Sequence, residues 1–130
     1  MSVTVTDRRT DTLGRHPVWT AVFSQLSWAS GETAAVDTTT ANINGQVKQI
    51  ICTPTEATAG ATTFQIDLYD SDDNLINQVA AALDDAAGAT LYVESDFGSA
   101  ALMNGFYVKI TPNQDPSTNG TTMDITARGI

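Results

Sequence analysis

Side chains capable of nucleophilic or acid–base catalysis are sparse in this chain. His16 is the only histidine and Cys52 the only cysteine among 130 residues. A nucleophilic triad needs a base beside its serine or cysteine. His16 lies in a polar segment directly before Pro17, away from any Gly-x-Ser-x-Gly turn. Cys52 ends an apolar run, which predicts a buried side chain rather than a reactive thiol. We therefore expect no enzymatic activity.

An acidic cluster that follows a predicted strand is the best candidate for a metal site. Asp70, Asp72 and Asn74 have the spacing of the first three oxygen ligands in a helix–loop–helix calcium site. The pattern then fails, because Leu75 stands where that loop needs glycine and Ala81 where it needs a bidentate glutamate. A solvated hairpin turn is the preferred interpretation and a looser calcium site the alternative. No metal and no cofactor are expected.

Aromatic rings offer a second kind of binding chemistry, the stacking of sugar rings. Tyr69 and Tyr107 lie on the outward side of their predicted strands, opposite the apolar positions. Together with Trp19, Trp28 and Tyr92 they could form a stacking platform. Most aromatic residues of a β-sandwich instead belong to its core or rim. Carboxylate pairs for glycoside hydrolysis are available, as in any acidic chain, but no pattern places them in a cleft.

Charge and composition exclude several classes of partner. The formal net charge is −9, and charged residues make up only 16% of the chain. Nucleic-acid binding needs a field of the opposite sign, so no nucleic-acid partner is expected. No segment approaches the roughly 20 apolar residues of a membrane span, and the first residues lack a signal-peptide pattern. We expect synthesis in the host cytoplasm and no membrane partner.

The basic residues are concentrated at the start of the chain. Arg8, Arg9 and Arg15 are three of only six, and with two acidic residues they give residues 1–16 a charge of +1. The remaining residues, 17–130, then carry −10 (three basic and thirteen acidic). An arm that differs in charge from its body often docks on another surface. The alternative is a frayed, solvated terminus.

Residues 17–130 alternate between apolar and polar positions, as strands do. The alternation is clearest in three apolar triplets: Phe64, Ile66 and Leu68; Phe106, Val108 and Ile110; Met123, Ile125 and Ala127. Seven or eight such strands with turn signals between them are typical of a β-sandwich or barrel. We predict an all-β fold, a single β-sandwich of jelly-roll or immunoglobulin-like type with an extended N-terminal arm.

Four local expectations accompany this fold. Val47, Gln49 and Ile51 are expected on one side of their strand. The alanine-rich residues 78–87 are the best helical candidate, and residues 95–103 are a weaker one. Within the arm, the alternation of residues 3 and 5 could add an edge strand.

The order of these features resembles that of a known group of proteins. The resemblance rests on residues 45–47, Pro54, 64–70, 73–75, 105–110 and 120–125, although the turn at 73–75 has Asn74-Leu75 where the group has an Asp/Asn-Gly type. In this order they resemble small β-sandwich proteins encoded among the head genes of tailed bacteriophages, several of which decorate or cement the capsid. The resemblance implies a virion protein at the capsid surface, with the major capsid protein as its partner and a homotrimer as its assembly.

The function expected from the sequence is therefore structural. The leading hypothesis is a protein that decorates or cements a phage-type capsid. The alternatives are a tail, neck or head-fibre virion protein and a carbohydrate-binding or adhesion module. Six residues are the candidates for contact with the capsid or with another subunit: Arg8, Arg9, Arg15, His16, Tyr69 and Tyr107.

Overall fold

The computed structural model describes residues 2–7, 19–28, 33–55, 62–98, 100–102, 105–113 and 121–130. Within these ranges the chain forms ten β-strands and one helical turn. The strands are β1 (Ser2–Asp7), β2 (Trp19–Trp28), β3 (Val36–Asp37), β4 (Gly45–Thr55), β5 (Thr63–Asp70), β6 (Leu75–Asp84), β7 (Thr90–Val93), β8 (Ala100–Leu102), β9 (Phe106–Pro112) and β10 (Thr121–Gly129). The turn, α1, spans Glu94–Phe97. Over the described ranges, no helix has the length and apolar character needed to cross a membrane.

The strands form two antiparallel sheets. The larger sheet has the order β1-β2-β10-β4-β7, and β8 also pairs with β4. The smaller sheet has the order β3-β9-β5-β6. When β1 and β8 are set aside, eight strands remain, and they pair from the outside inward: β2 with β10, β3 with β9, β4 with β7 and β5 with β6. A nested ribbon shared between two sheets is a jelly roll. The predicted all-β sandwich is confirmed, in its jelly-roll form.

Aromatic side chains from both sheets fill the core. Trp19 and Phe23 of β2 contact Phe106 of β9, with ring centroids 5.7 and 5.8 Å apart. Trp28, at the other end of β2, packs against Phe64 of β5 at 5.0 Å. All five side chains are at most 1% exposed. The three predicted apolar triplets are likewise buried, because strict alternation directs them all to the face that the other sheet covers.

Strand β4 differs from its predicted pattern. Val47 is buried, but its buried neighbours along the strand are Ile50 and Cys52, whereas Gln49 and Ile51 are only half-buried. The register with β10 shifts by one residue directly after Val47. Such a β-bulge inserts an extra residue and reverses the face to which the following side chains point. The prediction that Val47, Gln49 and Ile51 share one side was therefore wrong.

The predicted helix over residues 78–87 is also wrong. Most of that segment belongs to β6, which pairs with β5 along its length and buries Val79 and Leu83. Strand pairing and burial override the high intrinsic helix propensity of alanine. Of the weaker helical candidate, residues 95–103, only the first three positions belong to α1, and β8 follows.

The predicted N-terminal arm is described only in its first part. Residues 2–7 form β1, which pairs with β2 from Ser2 opposite Ser24 to Asp7 opposite Trp19. This is the edge strand that the alternation of residues 3 and 5 allowed, so these residues belong to the larger sheet. Residues 8–16, with their four candidate contact residues, lie outside the described residues.

Candidate functional site: a tyrosine patch on the smaller sheet

Two tyrosines lie side by side on the outer face of the smaller sheet. Tyr69 of β5 and Tyr107 of β9 are directly opposite each other in the register of the two strands. Their ring centroids are 5.3 Å apart and their planes differ by 10°, which is a stacked arrangement. The neighbouring residues Leu68 and Val108 point into the core, so alternation places both tyrosines on the opposite face.

A hydrogen bond to the β5–β6 turn fixes one of the two rings. The hydroxyl of Tyr107 donates to Oδ1 of Asp73 over 2.8 Å. Asp73 has a φ of 65°, a conformation that aspartate tolerates better than most residues. The turn is closed by Asp70, whose Oδ1 accepts the backbone N–H groups of Asp72 and Asn74 at 2.9 Å each. The ring of Tyr107 is therefore tied to a turn with its own internal support.

The same hydrogen bonds bear on the calcium alternative. The hydrogen bonds that Asp70 accepts lower the pKa of its carboxyl group, and the bond from the backbone N–H of Asn74 has the largest effect. They do so because each of them stabilises the ionised carboxylate. The carboxylate oxygens of Asp70 thus serve the turn itself. Among the residues that the structure describes, no group of three or more His, Cys, Asp or Glu side chains could hold a metal ion.

A cation lies beside the stacked rings. Nζ of Lys109 is 4.9 Å from the centroid of the Tyr69 ring, within the range of a cation–π interaction. In register, Lys109 is opposite Asp67 on one side and Asp37 on the other. Asp67 is 6% exposed and accepts a hydrogen bond of 2.8 Å from Nε2 of Gln65. We call Tyr69, Asp73, Tyr107 and Lys109 the tyrosine patch.

The electrostatics of the tyrosine patch suit binding rather than proton transfer. Burial, then the hydrogen bond to Asp73 and the negative charges of Asp73 and Asp37, raise the pKa of Tyr107 from 10.0 to about 12. The phenol is therefore protonated at neutral pH, a donor and not a base. Tyr107 is 9% exposed, and Tyr69 is half-buried. The patch presents ring edges, one ammonium group and the carboxylate of Asp73.

The other aromatic residues of the predicted stacking platform lie elsewhere. Trp19 and Trp28 are buried in the core, as the preferred interpretation of most aromatic residues expected, so the alternative of a surface platform does not include them. Tyr92 is partly buried and packs against the core from β7. Only Tyr69 and Tyr107 are brought together, and each ring covers one face of the other. Arg8, Arg9, Arg15 and His16 lie outside the described residues.

Two members of the tyrosine patch were missed by sequence reasoning. Lys109 could have been found, because it is two positions after Tyr107 and so shares its face of the strand. Asp73 could not, since its contact with Tyr107 depends on how the β5–β6 turn folds back over β9.

No protein-family model matches the chain, and no curated protein matches it in sequence. In structure, the chain is similar to infectious bursal disease virus chains. The Gt strain structure has 12% identity, a TM-score of 0.48 and 92% of this chain covered, and the Gx strain has 12%, 0.42 and 88%. A Clostridium thermocellum endo-1,4-β-D-xylanase structure with bound xylohexaose has 14% identity, a TM-score of 0.38 and 98% coverage. The chain spans 35%, 33% and 24% of those three chains, respectively.

Proposed function

We propose that this chain is a virion structural protein that decorates or cements a phage-type capsid and acts as a homotrimer on the capsid surface. Its partners are the major capsid protein and further copies of itself, and it has no enzymatic activity. The observation that carries the proposal is the tyrosine patch, a preformed polar-aromatic contact surface on the outer face of the smaller sheet.

The tyrosine patch has the properties of a contact anchor. Tyrosine is enriched among the residues that dominate protein–protein binding energy, because it combines a large contact area with a polar group. The hydroxyl of Tyr107 is held by Asp73 at 2.8 Å, and the ring of Tyr69 contacts both the Tyr107 ring and the ammonium group of Lys109. Side chains that are already ordered lose little conformational entropy when a partner binds. The patch therefore suits a stable, rigid contact.

The fold and composition are compatible with this role. Jelly rolls recur as viral capsid domains and as lectin domains, and this is an analogy at the level of fold. The bacteriophage head proteins that the sequence resembles are small β-sandwiches of the same general kind. A surface with few long charged side chains also lowers the entropy cost of assembly. These features support a structural protein.

A carbohydrate-binding or adhesion module is the second candidate, and the tyrosine patch is again the reason. Aromatic rings flanked by carboxylates and amides are a common way to hold a sugar. The stacking geometry counts against it here, since Tyr69 and Tyr107 cover each other's ring faces and Tyr107 is only 9% exposed. A sugar would meet ring edges rather than an open platform, so we rank this function second.

Electron microscopy of particles assembled with and without the chain tests the proposal. Density that is lost at local symmetry axes of the capsid, in groups of three, is the expected result. Density lost at the tail, neck or head fibres would instead support the alternative virion role. A glycan array separates the second candidate, because a defined glycan bound at micromolar strength, and lost in Tyr69→Ala, would favour an adhesion module.

A further inference from the structure

The N-terminal strand is an addition to a jelly roll that is complete without it. The eight nested strands already form both sheets, and β1 (Ser2–Asp7) lies outside this set, at one end of the larger sheet. Among the strands that the structure describes, β1 pairs with β2 alone. Its role in the fold is therefore to cover the edge of β2.

The edge of β2 is a surface that accepts a strand. Without β1 it would present a row of unpaired backbone N–H and C=O groups. β1 pairs with β2 over six positions, from Ser2 opposite Ser24 to Asp7 opposite Trp19. Pairing of this kind is made by main-chain groups, so an extended segment of the same chain or of another chain can supply it. The fold thus requires a strand at this edge and leaves open which copy provides it.

The connection between β1 and β2 is longer than their pairing requires. Asp7 and Trp19 are directly opposite each other, and a hairpin joins such positions with about two to five residues. Here eleven residues, 8–18, separate the two strands. Eleven residues can span up to about 36 Å, whereas a sheet of five strands is only about 20 Å wide. The connection is therefore long enough to place β1 on the β2 edge of a neighbouring copy.

The charges of the connection favour a position between two copies. Residues 8–18 contain Arg8, Arg9 and Arg15 but only one acidic residue, Asp11. Residues 19–130 contain three basic and thirteen acidic residues, which gives them a charge of −10. Two such acidic bodies repel each other where they meet. A basic segment that crosses from one body to the next lowers this repulsion, because its charge complements both.

We propose that β1 is exchanged between copies of this chain, so that β1 of one copy covers the β2 edge of its neighbour. This inference rests on the self-association in the function proposed above. Exchange of an identical strand keeps the same pairing and changes only the chain that donates it, which makes it a low-cost route to an oligomer. Passed from copy to copy, the exchange closes a ring, and three copies make the proposed homotrimer. The tyrosine patch, on the other sheet, stays available to the capsid.

Disulfide trapping in the full chain tests this proposal. Thr4 of β1 and Val22 of β2 are directly opposite each other, and the Cα atoms of such a pair are about 4.5–5.5 Å apart, a separation that a disulfide can bridge. When Thr4→Cys/Val22→Cys is oxidised under native conditions, we expect covalent oligomers up to the trimer on a non-reducing denaturing gel. Burial raises the pKa of the Cys52 thiol to about 12, so Cys52 stays unreactive.

A second cysteine pair is the matched control. Ile51 and Thr126 are opposite each other in β4 and β10, within the eight nested strands. The disulfide of Ile51→Cys/Thr126→Cys should therefore stay within one chain, and this variant should run as a monomer on the same gel.

A mixture of two single variants, Thr4→Cys and Val22→Cys, refolded together and then oxidised, supplies the second measurement. Exchange predicts a disulfide-linked product in the mixture that neither variant gives alone. Monomeric Thr4→Cys/Val22→Cys, or a mixture without this product, would overturn the proposal. Covalent dimers without trimers would support the exchange and contradict the homotrimer. Attachment of the crosslinked protein to capsids tests the decorating role separately.

Discussion

Tyr69 and Tyr107 stack in parallel across β5 and β9, and the strand register alone brings them together. The pair is therefore a property of the sheet, not of a loop that must become ordered on binding. The hydrogen bond from Tyr107 to Asp73 then restricts one ring further. Preorganisation of this kind lowers the entropy cost of association and connects the fold to the contact role that we propose.

The Tyr107–Asp73 hydrogen bond should contribute measurably to stability. Tyr107→Phe keeps the ring and removes the donor, and we expect a loss of about 1 kcal/mol in the free energy of unfolding. Urea titration measures this loss. Asp73→Asn is the matched control, because asparagine keeps an acceptor and tolerates the φ of 65°, so its loss should be smaller. Additive losses in the double variant would show that the two side chains do not interact.

Stability should also depend on pH through Tyr107. Its pKa is about 12 in the folded protein against an ordinary value of 10.0, so the folded state holds the phenolic proton more tightly than the unfolded chain. The stabilisation is complete below pH 10.0 and is lost as the pH rises towards about 12. We expect the unfolding midpoint of the wild type to fall more steeply across this window than that of Tyr107→Phe. Parallel curves for the two proteins would contradict this.

Parts of the fold that depend on strict alternation were predictable from the sequence. Phe64, Ile66 and Leu68 are buried as expected, because β5 pairs with β9 in an unbroken register that keeps the period of two. The phase of β4 was not predictable, since a bulge after Val47 arises from pairing with β10 rather than from local sequence. Similarly, the alanines in residues 78–87 favour a helix, but pairing with β5 makes most of this segment a strand.

The candidate site was predictable only in part. The outward positions of Tyr69 and Tyr107 follow from alternation within each strand. Their stacking follows from the register between strands that are distant in sequence, which no local pattern encodes. Trp19 and Trp28 show the converse: sequence identifies them as aromatic, but only the packing of the two sheets decides that both are core.

Gly129 should be intolerant of even the smallest side chain. Gly129→Ala places Cβ against the backbone O of Gln46 and the Trp19 ring, neither of which can move without disturbing the sheet or the core. We expect a loss of about 3 kcal/mol, as for other overpacked sites. Gly88→Ala is the control, because nothing lies within 4 Å of its Cβ and only its φ of 69° is strained; its loss should be about 1 kcal/mol. If the close approach of the backbone and the Trp19 ring to Gly129 were unimportant, thermal unfolding would show a smaller loss of stability for Gly129→Ala than for Gly88→Ala.

The contact between sheets through Phe106 should be among the strongest in the core. Phe106 touches both Trp19 and Phe23 from the opposite sheet, so Phe106→Ala should cost about 3–5 kcal/mol in denaturant unfolding. Leu75→Ala, at a position 56% exposed, should change stability by no more than about 0.5 kcal/mol. Similar losses for the two variants would mean that the sheets do not depend on this aromatic cluster.

Attachment of the purified chain to capsids that lack it, measured by co-sedimentation with Tyr69→Ala and a matched control, tests the central claim most directly. Leu91→Ala is the control, because Leu91 is 53% exposed and lies on the larger sheet. Before attachment is compared, both variants must be shown to be folded, by an unfolding midpoint close to that of the wild type. We predict that Tyr69→Ala weakens attachment by about tenfold or more, as for a contact anchor, and that Leu91→Ala stays within about twofold of the wild type. Wild-type attachment by folded Tyr69→Ala would contradict the assignment of the tyrosine patch as the contact surface.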